Sequence, residues 1–220
     1  MDRSSVRCRI ALALTLAIAV LPALGCQTLF LSALYLVKGT DVDPDFAELK
    51  GKKVAVVCRP LVTLQYRNAN VARDLAQQVT LLLQKQVPKI QTVDQQKVAK
   101  WTDENTWEEY TEVGKAMKAD MVVGIDLEGF SLLQGQTLYQ GKANATVRVY
   151  DCTKGGKGKM AFEKILPQTI YPPSTGIPTQ DRVEADFRRE FVAVLAEQVA
   201  RNFYAHDPHA DVAQDAAALR

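Results

Sequence analysis

Side chains able to do chemistry are few in this sequence of 220 residues, and they are scattered. Its two histidines, His206 and His209, follow the last apolar stretch. The run His206-Asp-Pro-His209-Ala-Asp211 has donors for a weak metal site, but it opens a polar, alanine-rich tail that reads as disordered through Arg220. That placement excludes a histidine-based catalytic centre in the folded body. Asp126 and Glu128 occupy alternate positions of one strand, as paired acids would in general acid–base work. No nucleophile or base is spaced to join them, so they read as solvated strand carboxylates. Lys154-Gly-Gly-Lys-Gly-Lys159 lacks the spacing and the hydroxyl residue of a phosphate loop, and it joins two strands; it reads as a flexible hairpin. Asn144-Ala-Thr146 has the form of a glycosylation sequon but lies inside a strand. The sequence therefore offers no catalytic residue, no metal set and no cofactor motif.

The cysteines are more informative. Of Cys8, Cys26, Cys58 and Cys152, the second closes the run Leu21-Pro-Ala-Leu-Gly-Cys26. Arg3, Arg7 and Arg9 precede an apolar stretch from Ile10 to Val20, and Gly25 is a small residue at a cleavage position. A basic start, an apolar core and a small residue are the parts of an export signal. With a cysteine directly after the cut, the segment resembles a bacterial lipoprotein signal. The resemblance implies that the Cys26 sulfur carries a diacylglyceryl group and that the new N-terminus is acylated by a fatty acid such as palmitate. Gln27, rather than Asp, follows the cysteine; in some such lipoproteins this sorts the protein to the outer membrane. Leu29-Phe-Leu-Ser-Ala-Leu-Tyr-Leu-Val37 is apolar where a lipoprotein tether is usually polar. An uncleaved membrane helix from Ile10 toward Val37 and ordinary cleaved secretion are the alternatives, and Pro22 and Gly25 argue against one unbroken helix. All three place the chain beyond Lys38 outside the cytoplasm.

Composition narrows the rest. Formal net charge is +2, and residues 1–25 take with them Arg3, Arg7, Arg9 and Asp2, which leaves a neutral body. A neutral exported domain carries no electrostatic footprint for nucleic acid. Export permits a disulfide, but Cys58 and Cys152, at the ends of two predicted strands, read as buried free thiols.

The elements that must hold these residues follow from hydrophobic period. Lys53-Val-Ala-Val-Val-Cys58 reads as a buried strand closed by Pro60. Val71, Leu75, Val79, Leu82 and Leu83 recur at helical spacing, with Asn70 as cap and Pro88 as stop. Ile90-Gln-Thr-Val93 is a second strand. Thr106-Trp-Glu-Glu109 has capping-box spacing ahead of a helix with Tyr110, Val113 and Met117 on one face. Met121–Leu127 and Gly141–Tyr150 alternate, which predicts one buried and one wet sheet face. Met160–Ile165 is a last strand, the proline-rich stretch to Pro178 is a loop, and Phe187, Phe191, Leu195, Val199 and Phe203 form a helical stripe opposite Arg188, Arg189, Glu197 and Arg201. The expected order is β-α-β-α-β-β-β-α: a single α/β domain of the α+β type, with a mixed sheet and helices packed mainly on one face. Residues 1–25 are then a signal, 26–51 an anchor and linker, 52–204 the globular domain and 205–220 a tail.

Val54-Ala-Val-Val57, the helix with Leu75 and Leu82, Ala119-Asp-Met-Val-Val-Gly124 and the Val147-Arg-Val-Tyr-Asp151 strand together resemble a group of bacterial envelope domains. The group includes the N-terminal domain of the Tol-system propeller protein, the curli secretion channel lipoprotein and lipoprotein activators of cell-wall synthases. Lys118 stands where the pattern of that group has glycine. The resemblance spans about residues 52–204, rests on packing motifs, and implies binding and assembly in the envelope without catalysis. The expectation is thus a non-enzymatic, lipid-anchored envelope protein that binds another envelope protein; a subunit of an oligomeric export assembly, or a single-pass membrane-anchored protein, is the alternative. Trp101, Trp107 and Tyr110 are the one aromatic concentration. Trp107 continues into the helical stripe, whereas Trp101 stands beside Lys97 and Lys100 outside it, so Trp101 is the candidate partner-binding residue.

Overall fold

A computed structural model describes residues 41–60, 62–153 and 158–207. Cys26 and the whole signal, His209, Asp211 and most of the Lys154–Lys159 hairpin lie outside the described residues. The folded unit opens at Asp43. Its elements are β1 (Lys53–Pro60), α1 (Val62–Gln86), β2 (Gln91–Thr92), α2 (Gln95–Glu104), α3 (Tyr110–Met117), β3 (Met121–Gln134), β4 (Leu138–Asp151), β5 (Lys159–Ile165), β6 (Thr169–Tyr171), β7 (Ile177–Pro178) and α4 (Glu184–Ala200). Among the described residues no helix is long and apolar enough to cross a membrane.

The sheet order is β2-β1-β3-β4-β5. β1 lies parallel to β2 and β3, and the rest is antiparallel. Short β6 and β7 continue the β5 side of β4. This is the expected mixed sheet in one domain. The split into a parallel half and a hairpin half follows from the connections: helices return the chain across the sheet, while the tight turn at Gly135 reverses it.

Alternation sorts the strand residues onto two cores. Val54 and Val56 of β1, Met121, Val123, Ile125 and Leu127 of β3, and Ala143, Ala145, Val147 and Val149 of β4 meet the two long helices α1 and α4 on one face. Phe187, Phe191, Leu195 and Val199 are wholly buried there. Gly141 is required by this contact, because a Cβ at that position would come within 2.5 Å of the Phe191 ring. Ala55, Val57 and Val122 turn to the other face, where α2 and α3 bring Val98, Tyr110 and Val113. The larger helices thus share one face as expected, and the two short ones cover the other face of the parallel half.

Several local expectations are corrected. α1 begins at Val62, so Asn70 is an interior helical residue and not its cap. α3 begins at Tyr110, and its capping box is formed by Glu109 and Glu112, not by Thr106 and Glu109. Backbone N–H groups of Glu109 and Glu108 donate to the Glu112 carboxylate and hold its pKa below the ordinary value. The proline-rich stretch contributes β6 and β7, the latter at the sheet edge where a proline is tolerated. Phe46 and Leu49 are buried in the main core, and the Phe46 N–H donates to the Asn202 carbonyl, so the unit starts ahead of residue 52. Arg201 is buried instead of facing solvent with Arg188 and Arg189, because α4 tightens into a 3₁₀ turn at Arg201–Phe203. α3 closes at Lys118 in the left-handed region, φ 49° and ψ 45°, where its N–H reaches the Gly114 carbonyl.

Candidate functional site

The strand face read as wet carries a buried ionic cluster. Asp126 sits on β3 beside Arg59 of β1, its partner in register, and near Arg148 of β4, which stands diagonally from it opposite Gly124. Parallel and antiparallel pairing place these three residues side by side on one face, which no sequence spacing displays. Arg59 Nε donates to Asp126 Oδ1 at 3.0 Å, and the Tyr110 hydroxyl donates to the same oxygen at 2.8 Å. Arg148 Nη1 donates to Oδ2, and its Nε donates to Glu163 Oε1 at 2.7 Å. Arg59 Nη1 reaches the Glu108 carbonyl at 2.9 Å, and the guanidinium lies 4.8 Å from the Tyr110 ring centroid and 5.8 Å from that of Trp107. Asp126 is therefore not the solvated carboxylate that strand alternation implies: α3 covers it. Burial first, then the negative charge of Asp126, pushes the Tyr110 phenol well above its ordinary pKa, so it stays a hydrogen-bond donor. Glu128 is exposed as expected and accepts from the Thr146 hydroxyl at 2.7 Å. The two carboxylates form no acid pair, in line with the sequence reading, although Asp126 is buried where that reading has it solvated. One carboxylate locks α3 to the sheet and the other holds a strand hydroxyl. Tyr110 can lie over the strand because residue 124 is glycine; a Cβ there would come within 2.8 Å of the ring.

Cys58 and Cys152 are both free. Cys58 packs against the main core and Cys152 against the second, on opposite faces of the sheet, which rules out a disulfide between them. Burial, followed by the Asp126 charge, raises the pKa of Cys58, and burial raises that of Cys152. Neither is an activated nucleophile. His206 lies against Tyr204, with Nδ1 3.3 Å from the Tyr204 carbonyl oxygen. Among the described residues no group of three His, Cys, Asp or Glu side chains could hold a metal ion.

Trp101 lies on α2, a helix absent from the expected order, and is half-buried against the second core. Trp107 is half-buried too, with its ring 5.6 Å from that of Tyr110. The two tryptophans thus contribute to one apolar cluster, and Trp101 keeps part of its ring in solvent.

A concave site lies on the other side of α2. A cavity of about 380 Å³ opens between α1 and α2 at the outer edge of β1. Val56, Ala76, Val93 and Val98 are among its apolar residues, and Gln77, Gln84, Gln95 and Gln96 supply amide groups. One end is bridged by Gln95, whose Nε2 donates to the Val56 carbonyl at 3.1 Å and to Thr80 Oγ1 at 2.7 Å. Farther along, Arg73 Nη2 donates to both carboxylate oxygens of Asp103, at 2.8 and 2.7 Å. The sequence shows the glutamines but not their convergence. They come from two helices that meet only because β2 stops after Thr92 and leaves the β1 edge for α1 and α2 to flank.

No protein-family model matches the chain, and no curated protein matches it either. Solved structures do. The hypothetical protein CT253 from Chlamydia trachomatis is 18% identical, with 68% of this chain and 98% of that one covered and a TM-score of 0.36. The PelC dodecamer from Paraburkholderia phytofirmans is 14% identical, covering 72% and 94%, with a TM-score of 0.39. Lipoprotein GNA1162 from Neisseria meningitidis is 10% identical, covering 66% and 96%, with a TM-score of 0.38.

Proposed function

We propose that this chain is a lipid-anchored protein of the bacterial cell envelope that works by binding another envelope protein and not by catalysis. The observation that carries the reading is the order of arginines, apolar run and Gly25-Cys26 ahead of a unit that folds from Asp43 on its own core. The lipid on Cys26 holds the unit at the membrane surface, facing the periplasm, and Gln27 favours the outer membrane. The two strand carboxylates are committed to structural bonds and not to acid–base work: Asp126 takes three donors and Glu128 takes a strand hydroxyl. Trp101, half-exposed on α2, is part of the contact surface. Buried interface tryptophans commonly contribute about 2 kcal/mol or more to binding.

Two measurements test this together. Metabolic labelling with a fatty acid should mark the wild type and leave Cys26→Ala unmarked; equal labelling removes the lipoprotein reading. Crosslinking in intact envelopes, followed by purification of the chain, should recover a discrete protein partner whose yield falls with Trp101→Ala by more than any loss of folded protein, measured in parallel by unfolding, accounts for. The same partner yield from Trp101→Ala removes that residue from the surface.

A further inference from the structure

The outer edge of β1 is incompletely paired. β1 runs from Lys53 to Pro60, but its register with β2 covers only Lys53 and Val54. The Val93 N–H donates to the Val54 carbonyl, and two residues on, the Val56 carbonyl faces the same way and is met by the Gln95 side-chain amide. By the two-residue period of a strand, the Cys58 backbone is the next to face outward. Gln95 therefore stands where the N–H of a neighbouring strand would be. The space beyond it is the 380 Å³ cavity between α1 and α2, within the range of about 300–1,000 Å³ usual for ligand sites. Two charged side chains line that cavity, Arg73 and Asp94. Arg73 is neutralised by Asp103, and Asp94 caps α2 by accepting from the Gln96 N–H at 2.9 Å. Among the described residues the groove thus presents strand backbone, amides and small apolar side chains, with one exposed carboxylate, Asp94, that is hydrogen-bonded but not ion-paired. The Arg73–Asp103 bridge across it is exposed on both sides, a kind of pair that opens easily.

We propose that this groove binds an extended, uncharged peptide segment of the partner protein, which adds as a strand to the outer edge of β1 beyond β2. The incoming N–H replaces the Gln95 amide on the Val56 carbonyl, and the glutamines of α1 and α2 pair with the peptide's amides. Asp94 is exposed and the described lining holds no buried counter-charge, so a lysine or glutamate at the centre of the segment would be desolvated without a partner. This inference rests on the binding role proposed above and assigns its site.

The test is a fluorescence-anisotropy titration of the full chain in detergent with end-capped, fluorescein-labelled heptapeptides. One alternates threonine and valine; two others carry lysine or glutamate at the central position. The neutral peptide should bind saturably, and the charged ones at least tenfold more weakly. Gln77→Trp and Gln96→Trp, at exposed positions on opposite walls, should each weaken the neutral peptide about tenfold. Gln95→Ala should strengthen it severalfold by uncovering the Val56 carbonyl. Equal affinity for all three peptides, no saturable binding of the neutral one, or indifference to both tryptophan variants overturns the proposal. Fatty-acid labelling of Cys26 is read separately on the same preparation, so failure of the groove and failure of the anchored reading give different results.

Discussion

Asp126 is the residue whose surroundings differ most from what its strand position suggests. Its side chain is 12% exposed, against 40% for Arg59 and 28% for Arg148. Removing the carboxylate takes one acceptor from each of two guanidinium groups, which keep Glu108 and Glu163, and leaves the Tyr110 hydroxyl without its partner. For a fully buried pair that change typically destabilises by about 3–5 kcal/mol; partial solvation of Arg59 lowers the expectation here to about 2–3 kcal/mol for Asp126→Ala. Urea unfolding measures it, and a loss under 0.5 kcal/mol would mean that water serves the arginines equally well. Lys118 gives a change of opposite sign. Its left-handed backbone strains any residue with a Cβ, and its side chain is exposed. Lys118→Gly should stabilise by about 0.5–1 kcal/mol, the relieved strain being partly offset by the greater freedom of glycine in the unfolded chain. Unfolding midpoints decide between this outcome and a destabilisation from lost chain entropy alone.

Among the elements, α4 was the most legible in sequence and α2 the least. The Phe187–Phe203 stripe repeats at helical spacing, and each of its residues is buried. Phe191→Ala opens a hole over Gly141, which has no side chain to move into it, and should destabilise by about 3–5 kcal/mol. A denaturant midpoint within error of the wild type would place that ring outside the core. α2 has no periodic signature in the sequence because Val98 is its one fully buried residue, so the segment lacks a stripe. It is helical because Asp94 caps it and because the second core and α1 flank it, which are tertiary reasons. The start of α3 differs from the sequence expectation for a related reason. Thr106 and Glu109 have the right spacing, but Glu112 reaches back to the N–H of Glu109 and fixes the start three residues later.

For the whole molecule, the proposed anchor and the folded unit make separate predictions. The unit from Asp43 onward has its own closed core, with Phe46 and Leu49 already inside it. Cys26→Ala should therefore abolish fatty-acid labelling while leaving the unfolding free energy of the purified chain within about 0.5 kcal/mol of the wild type, the range of a substitution outside a packed core. A larger loss would show that residue 26 takes part in the fold.

The sequence by itself determined what depends on neighbours along the chain. Alternation defined β3 and β4, helical period defined α4, and a cysteine after an apolar run defined the expected tether. These signals are local because each residue's face follows from the residues two to four positions away. Tertiary structure alone decided which faces stay wet. Alternation put Asp126, Arg148 and Tyr150 on a polar face, but α3 packs over that face and turns Asp126 into a buried lock. Tertiary structure also made the groove, since its glutamines lie on two helices and its floor is a strand edge exposed by the early end of β2. Burial and convergence arise from contacts between residues far apart in the chain, and hydrophobic period carries no information about them.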